Sequence, residues 1–281
     1  MFAMGGPVRR RARGILNALA IHRPPEVDRR LARMRTLVER ADPSLFEAGD
    51  LTPHEFKVFS QNGEDGVIVE IFNRIGVTNR FFVEFGIQTG VEGNCVLLAD
   101  VLGWSGLFIE ADRDDFEHLQ RKYDGTAVST LHEFVTADRF DAILAAAGVP
   151  EEPDLLSIDI DGNDLYVWDA LHQFRPRVVI VEYNSGVWVD APVAQPHEPT
   201  RGWDGTGAYG ANLAALEVVA ARQGYRLAHT DLAGVNAFFV RDDLFPDLGV
   251  DRVPRRSQNY GLTGITRPPA TPEGGWQRIG E

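Results

Sequence analysis

Short apolar runs alternate with amphipathic stretches along this chain, and the alternation constrains its fold more than any other feature. Apolar residues at helical spacing, such as Val67, Ile71 and Ile75, lead up to Gly76, and the compact run Phe81-Phe82-Val83 follows. Further strands are predicted at 106–110, 126–130, 154–159 and 178–182, and helices at 92–102, 113–123, 139–147, 164–174 and 208–223. This order predicts a doubly wound α/β protein, in which helices cover both faces of a mainly parallel sheet.

Two more apolar runs, at 225–229 and 235–241, are close enough to pair as a hairpin. We expect the hairpin to add an antiparallel edge to the sheet. The chain of 281 residues is then predicted to consist of a basic helical arm (1–50), one α/β domain (51–245) and an irregular tail (246–281) that contains several prolines and glycines.

Charge is distributed unevenly along the chain. Residues 1–40 contain ten arginines against three acids, whereas the whole chain carries a net charge of −13. The acidic remainder argues against a nucleic acid partner. We expect the arm to pack as a helix on the domain, or on a second subunit of a homo-oligomer. An anionic membrane surface is the alternative, because Ile15, Leu16 and Leu19 accompany the arginines.

The chain also shows few signs of export or membrane insertion. Its single cysteine, Cys95, cannot form an internal disulfide, and no run of about 18 apolar residues is present to form a transmembrane segment. The apolar stretch at 15–21 follows arginines as in a signal peptide, but it continues into His22-Arg23-Pro24-Pro25 without a small-residue cleavage site. A cytoplasmic location is therefore expected.

The ends of the first two strands indicate a nucleoside-containing ligand. Gly86 and Gly90 follow the first strand and let a backbone pass close to a ligand, and Glu84 can accept hydrogen bonds there. Glu110 ends the second strand, twenty residues after Gly90, where an acid binds the ribose hydroxyls of adenosine cofactors. The full G-x-G-x-x-G cradle is missing, which disfavours a pyrophosphate. A turn kept only for packing is the alternative, and Asp112 is expected to cap a helix.

Acidic residues cluster after the next two strands. Asp159, Asp161 and Asp164 occupy one turn between a strand and a helix, and Glu182 and Asn184 end the neighbouring strand. Crowded carboxylates repel one another unless a cation or a shared proton relieves them. Mg²⁺ prefers such oxygen ligands, so a metal site is predicted here. As an alternative, Asp164 caps the helix and Asp159 binds backbone groups.

Five motifs resemble those of the FkbM-type methyltransferases: FSQNGEDG at 59–66, VEFGIQTG at 83–90, FIEAD at 108–112, SIDIDGNDLYVWDAL at 157–171 and VVIVEYN at 178–184. The stretch IDGNDLY at 160–166 is also similar to one in the macrocin-type sugar O-methyltransferases. The resemblance spans about residues 57–241. It implies a Rossmann-like, seven-stranded class I methyltransferase sheet that binds S-adenosylmethionine.

The resemblance and the strand ends together give a set of predicted site residues. The resemblance implies Asp161 and Glu182 as metal ligands, with Asp159, Asp164 and Asn184 as further candidates. The predicted cofactor-binding residues are Gln61, Glu84, Phe85, Gly86, Gln88, Gly90, Asn94, Glu110, Ala111 and Asp159.

The expected reaction is in-line transfer of the sulfonium methyl group to a hydroxyl of a sugar or another small-molecule acceptor. Asp161 or His197 is the predicted base, and Trp188, Trp203 and Tyr209 are candidates to stack on the acceptor. Three alternatives stay open: a metal-independent methyltransferase for amines or carboxylates, an NAD-dependent dehydrogenase, which the missing cradle disfavours, and a non-catalytic domain that has kept the fold.

Overall fold

The computed structural model describes residues 50–187, 190–200, 206–251, 253–256 and 275–280. The predicted basic arm, its expected role in a homo-oligomer and most of the predicted tail lie outside these residues. Those three expectations therefore stay sequence predictions.

Strands and helices alternate through the described chain. The strands are β1 Phe81–Phe85, β2 Ser105–Glu110, β3 Val128–His132, β4 Leu155–Ile158, β5 Val178–Glu182, β6 Val193–Ala194, β7 Tyr225–Thr230, β8 Asn236–Arg241 and β9 Gln277–Arg278. The helices are a short 3₁₀ turn at Thr52–His54, α1 Glu64–Ile75, α2 Val96–Asp100, α3 Arg113–Tyr123, α4 Phe140–Ala146, α5 Asp164–Asp169, α6 Leu213–Gln223 and α7 Phe245–Leu248.

Seven of these strands form one sheet in the order β3-β2-β1-β4-β5-β8-β7. Strands β1 to β5 are parallel, whereas β8 is antiparallel to both of its neighbours, so β7 again points in the direction of the first five. The predicted doubly wound, mainly parallel seven-stranded sheet is confirmed. The hairpin was predicted to add an antiparallel strand at the edge of the sheet. Instead, the antiparallel strand β8 lies inside the sheet, between β5 and β7, and β7 forms the edge. Every residue of β8 is buried, whereas β7 exposes Arg226, which suits an edge strand.

Helices cover both faces of the sheet. Side chains from α4, α5 and α6 pack on one face against Phe85, Ile109 and Val181, among others. Side chains from α1, α2, α3 and α7 pack on the other face, against strand residues such as Phe82 and Phe108. Successive strand residues point to opposite faces, so the central strands β1, β2, β4, β5 and β8 are largely apolar and contribute side chains to both cores. Within the described residues, no helix is long and apolar enough to cross a membrane.

Two helices are shorter than the predictions because side chains bind the backbone at their ends. The backbone N–H groups of Asn94 and Cys95 donate to Glu84, so α2 begins only at Val96 and not at residue 92. Helix α5 ends at Asp169, because the carboxylate of Asp141 accepts hydrogen bonds from the N–H groups of residues 172 and 173.

Two further boundaries move for similar local reasons. Helix α6 begins at Leu213 rather than at 208, since Asn212 caps it and Ala211 pairs with Ala194 in an isolated bridge. Strand β3 begins at Val128 rather than at 126, since Thr126 closes a turn on the carbonyl of Tyr123. Asp112 caps α3 as predicted, accepting hydrogen bonds from two backbone N–H groups.

The described parts of the predicted tail pack on the domain. The predicted boundary at residue 245 falls inside α7, whose Phe245 and Leu248 are buried in the core. Strand β9 pairs with β6, which lies between β5 and α6 in sequence. These two short elements therefore contact the predicted domain, and the boundaries of the arm, domain and tail stay predictions.

A buried ion pair joins the ends of several elements at the edge where the parallel strands begin. Arg177 donates to Asp154 at 2.7 Å and to the carbonyls of Ile75 and Gly76 at the end of α1. Asp154 also accepts backbone hydrogen bonds from residues 78–80. Burial alone would raise the pKa of Asp154, but the hydrogen bonds from Arg177 and Thr78 outweigh it and lower the pKa.

We predict that Arg177→Met lowers the free energy of unfolding by about 3–5 kcal/mol, because Asp154 would keep a buried charge without its partner. Denaturant titration measures this loss, and Arg175→Met, at an exposed site nearby, is the control, with an expected change within about 0.5 kcal/mol. Because the folded-state pKa of Asp154 is lowered, its stabilising contribution is present above the ordinary aspartate range and is lost as the pH falls through the folded-state value. Equal stability of the two variants would show that the buried ion pair between Arg177 and Asp154 does not stabilise the fold.

Candidate functional site

A cavity of about 340 Å³ opens at the carboxyl ends of the parallel strands. Nine of the predicted site residues line it: Gln61, Phe85, Gly86, Gln88, Glu110, Ala111, Asp159, Asp161 and Glu182. Six further residues line it that the sequence reasoning missed: Ile109, Glu133, Phe134, Val135, Ile160 and Asn163. Predicted residues from four different strand ends thus share one space.

Gly86 allows the ends of β1 and β4 to approach each other. Its φ is +77°, and a Cβ atom there would lie 1.8 Å from the carbonyl oxygen of Asp159. Any side chain would therefore push apart the two strand ends that frame the floor of the cavity.

Glu110 lies at the β2 end of the cavity and is fixed by the backbone. Its two oxygens accept hydrogen bonds from the N–H groups of Gln88, at 2.6 Å, and Asp112, at 2.7 Å. Gln88 has a φ of +54°, which turns its N–H toward the carboxylate. Each carboxylate oxygen keeps a second lone pair, so Glu110 can still accept a hydroxyl of a ligand.

Three carboxylates converge at the other end of the cavity. Oxygen atoms of Asp159, Asp161 and Glu182 lie within 4.8 Å of one another, a spacing that one metal ion can bridge. Asp159 and Asp161 follow β4, while Glu182 ends β5 and is only 4% exposed. The convergence follows from the parallel pairing of β4 with β5, since neighbouring strands lie about 4.8 Å apart.

The cavity is acidic. Five of the residues that line it are carboxylates: Glu110, Glu133, Asp159, Asp161 and Glu182. None of the described lining residues is a lysine or an arginine. Arg139, outside the lining, forms an ion pair with Glu133 at 3.1 Å, and the other four acids favour a cationic or neutral ligand over an anion.

Glu84 and Asn94, both predicted to bind the cofactor, lie behind the cavity wall. The oxygens of Glu84 accept hydrogen bonds from the N–H groups of Asn94 and Cys95, each at 2.8 Å, and the Asn94 side chain donates to Ser157. Burial raises the pKa of Glu84 to about 7, although these backbone hydrogen bonds act in the opposite direction. Neither residue lines the cavity, because Glu84 binds the loop before α2 instead.

Gly90 also serves packing. A Cβ atom there would lie 2.7 Å from Leu119, and its carbonyl accepts a hydrogen bond from Lys122 on α3. Gly90 is therefore explained by packing, as the alternative in the sequence analysis proposed, whereas Gly86 lines the cavity.

Of the three further metal candidates, Asp159 belongs to the group of three acids, whereas Asp164 and Asn184 are buried outside it. Asp164 accepts hydrogen bonds from the N–H groups of Ile160 and Gly162, both at 2.8 Å, so it closes the turn that carries Asp161. Burial, reinforced by the charge of Asp161, raises the pKa of Asp164 to about 6, against the effect of these hydrogen bonds. The Asn184 side chain donates to the carbonyls of residues 207 and 209. Both residues therefore brace loops, and Asp164 is the first residue of α5 rather than the helix cap that the alternative proposed.

His197, one of the two predicted bases, does not line the cavity. It is exposed, and its ring lies 4.6 Å from the ring of Tyr166. Of the three aromatic residues expected to stack on an acceptor, Tyr209 is buried, while Trp188 and Trp203 lie outside the described residues. Asp161 is the predicted base that the structure places in the cavity.

Phe134 is the most informative of the missed residues. It follows β3, lines the cavity and is 48% exposed, so its ring is accessible to a ligand in the cavity. Its position after a strand beside β2 was the available signal, because parallel strands end at the same edge.

The strand order of the main sheet, with β8 antiparallel between β5 and β7, is that of the class I methyltransferase fold. No protein-family model matches the sequence, and no curated protein matches it. A methyltransferase from Geobacter sulfurreducens is similar at 16% identity, with a TM-score of 0.42 and coverage of 80% of this chain and 94% of that one. The N-terminal domain of EvdMO1 with SAH bound is similar at 13% identity, with a TM-score of 0.40 and coverage of 63% of this chain and 79% of that one. A SAM-dependent methyltransferase from Aquifex aeolicus is similar at 11% identity, with a TM-score of 0.37 and coverage of 61% of this chain and 88% of that one. The resemblance to FkbM-type enzymes stays a prediction from the motifs.

We predict that Glu84→Gln lowers the free energy of unfolding by about 1–3 kcal/mol. Both oxygens of Glu84 accept a backbone N–H in the wild type, whereas the NH₂ group of the glutamine would place a donor against one of these N–H groups. The pKa of Glu84 is raised from 4.5 to about 7, so the wild type loses stability as the pH rises through that window. The loss should be smaller in the variant, which has no titrating group at this position.

Chemical denaturation at several pH values within that window measures both effects. Glu92→Gln is the control, because Glu92 is half exposed and pairs with Lys57 at the surface. If Glu84→Gln kept its stability but lost cofactor affinity, Glu84 would bind the cofactor, as the sequence predicted, rather than brace the loop before α2.

Proposed function

We propose that this protein transfers a methyl group from S-adenosylmethionine to a hydroxyl of a sugar or a glycosylated small molecule, assisted by a divalent cation. One observation carries the proposal: Glu110 and the group Asp159, Asp161 and Glu182 line the same cavity at the carboxyl ends of the parallel strands. A ribose-binding acid and a candidate metal site are thereby within reach of one bound cofactor and its acceptor.

The donor set of the cavity suits this cofactor. Glu110 can accept hydrogen bonds from two ribose hydroxyls, and Phe134 and Val135 offer an apolar surface beside it for a base. The acidic lining attracts the positive sulfonium group. The cavity volume of about 340 Å³ lies within the usual range for ligand sites, roughly 300–1,000 Å³.

The group of three acids suits a hard divalent cation. Carboxylate oxygens are the ligands that Mg²⁺ prefers, and Mg²⁺ keeps open positions for water or substrate oxygens. A bound cation would lower the pKa of an acceptor hydroxyl that coordinates it. Asp161 is only half-buried, which leaves its carboxylate accessible to an acceptor.

The residues of the chain would contribute mainly alignment and proton transfer. Glu110 would hold the ribose of the bound cofactor at the end of β2, in the same cavity as the acids that follow β4 and β5. Asp161 would accept the proton of the acceptor hydroxyl, and the bound cofactor would supply the methyl group for in-line transfer. The methyl donor brings the reactive group, so the protein needs no covalent intermediate.

An amine acceptor is the second candidate, and the acidic lining favours it. A protonated amine would be attracted by the five carboxylates, and Asp161 could remove its proton without a metal. A carboxylate acceptor is disfavoured by the same charges. A non-catalytic domain would bind the cofactor and transfer nothing.

We predict that Glu110→Ala weakens S-adenosylmethionine binding by about 1–3 kcal/mol, because the ribose hydroxyls lose their acceptor. Isothermal titration calorimetry measures the change. Glu117→Ala, on the exposed side of α3, is the control and should bind like the wild type. If both variants bind equally well, Glu110 does not hold the ribose.

We further predict that Asp161→Asn abolishes methyl transfer while cofactor affinity stays nearly unchanged, and that a chelator abolishes transfer by the unmutated enzyme. A transfer assay over sugars, glycosylated natural products and amines, with and without chelator, tests both statements. Full activity in excess chelator, with Asp161→Asn still inactive, would make Asp161 a metal-independent base. Cofactor binding without transfer to any acceptor would favour the non-catalytic domain.

A further inference from the structure

We infer that Gln61 binds the carboxylate at the amino-acid end of S-adenosylmethionine, and that Glu64 and Asp65 are the positioning residues that present it. The inference rests on the proposed function, because it concerns one end of the proposed cofactor. It assigns a role to the loop at 58–63, which precedes α1 and has no strand or helix of its own.

Two buried carboxylates hold this loop from both sides of Gln61. Asp65 Oδ2 accepts hydrogen bonds from the backbone N–H groups of residues 58–60, at 2.7 to 2.8 Å. Glu64 Oε2 accepts those of residues 62 and 63, both at 2.7 Å. Glu64 is fully buried and Asp65 is 1% exposed, so water does not compete for these bonds. Gln61 is thus placed on a rigid loop.

The side chain of Gln61 is available to a ligand. It lines the cavity and is half-buried. Only its backbone carbonyl is engaged, as the acceptor of a hydrogen bond from Lys57 at 2.8 Å, and within the described residues its amide group has no partner. A rigidly held, unbonded amide in an otherwise acidic cavity is a donor suited to an anionic group.

The loop lies on the side of the cavity opposite Phe134. Glu64 Oε1 accepts a hydrogen bond from Asn236 at 2.8 Å, and Asn236 pairs in register with Glu182 at the end of β5. Phe134 follows β3, beyond β2 at the other side of the sheet. A cofactor whose ribose binds Glu110 and whose base lies toward Phe134 must extend its amino-acid end across β1, toward the loop.

Chemical elimination also favours Gln61. The cofactor's carboxylate needs hydrogen-bond donors, and the four acids of the cavity other than the Arg139-paired Glu133 would repel it. Two other lining residues have amide side chains. The N–H of Gln88 donates to Glu110, which places Gln88 at the ribose end, and Asn163 Nδ2 already donates to the carbonyl of Glu198 at 3.0 Å.

Calorimetry with two cofactors that differ only in the carboxylate tests the inference. Gln61→Ala should weaken S-adenosylmethionine at least about tenfold and leave decarboxylated S-adenosylmethionine nearly unchanged, because only the former loses a charge-assisted hydrogen bond. Gln61→Glu should weaken S-adenosylmethionine further, since a sixth acid would repel the carboxylate. Gln120→Ala, at an exposed site on α3, is the matched control.

A double-mutant cycle tests the positioning role of Glu64. Glu64→Ala should reproduce the selective loss of Gln61→Ala, and the double variant should be no weaker than either one. If Glu64→Ala does not fold, Ser60→Ala tests the positioning role of Asp65 in the same way, because Ser60 Oγ donates to Asp65 at 2.7 Å.

Equal weakening of the two cofactors in Gln61→Ala, or no weakening of either, would overturn the inference. Failure of the unmutated protein to bind S-adenosylmethionine at all would instead overturn the proposed function, so the two failures are distinguishable.

Discussion

Hydrogen bonds from backbone N–H groups to buried carboxylates hold the loops around the cavity, and the rest of the site depends on them. Loops at a sheet edge have N–H groups without partners in secondary structure, and such groups are costly to bury. Here Glu84, Asp164, Glu64 and Asp65 accept them. Burial of the carboxylates opposes this arrangement and raises the pKa of Glu84 to about 7 and that of Asp164 to about 6. The loops are held firmly because the carboxylates are withdrawn from water.

The acids at the strand ends therefore divide into those that brace loops and those that face the cavity, and sheet register decides between them. Glu84 pairs with Phe108 across β1 and β2, two residues before Glu110. Glu84 consequently lies inside the sheet, beneath the loop that leads to α2, whereas Glu110 lies at the open edge. The same distinction separates Asp161 from Asp164, because the carboxylate of Asp164 turns back onto the backbone of the turn that carries Asp161.

The cavity that results combines like charges with few donors. Arg139 offsets the charge of Glu133, whereas the other four carboxylates at this sheet edge repel one another, and a cationic cofactor or metal ion would reduce that repulsion. The same charges repel any anionic part of a ligand, which therefore needs a hydrogen-bond donor in the cavity. The side-chain amide of Gln61 can supply such a donor without changing the net charge of the cavity.

The sequence by itself determined the doubly wound sheet and the strand ends at which a site would form, since apolar periodicity and parallel pairing depend on local pattern. It also identified Gly86, Glu110, Asp161 and Glu182, which lie at those ends. Only the tertiary structure decided which polar residues face the cavity, because that depends on strand register and on loop N–H groups far away in sequence. The insertion of β8 between β5 and β7, and the buried brace formed by Asp164, followed from the same long-range packing.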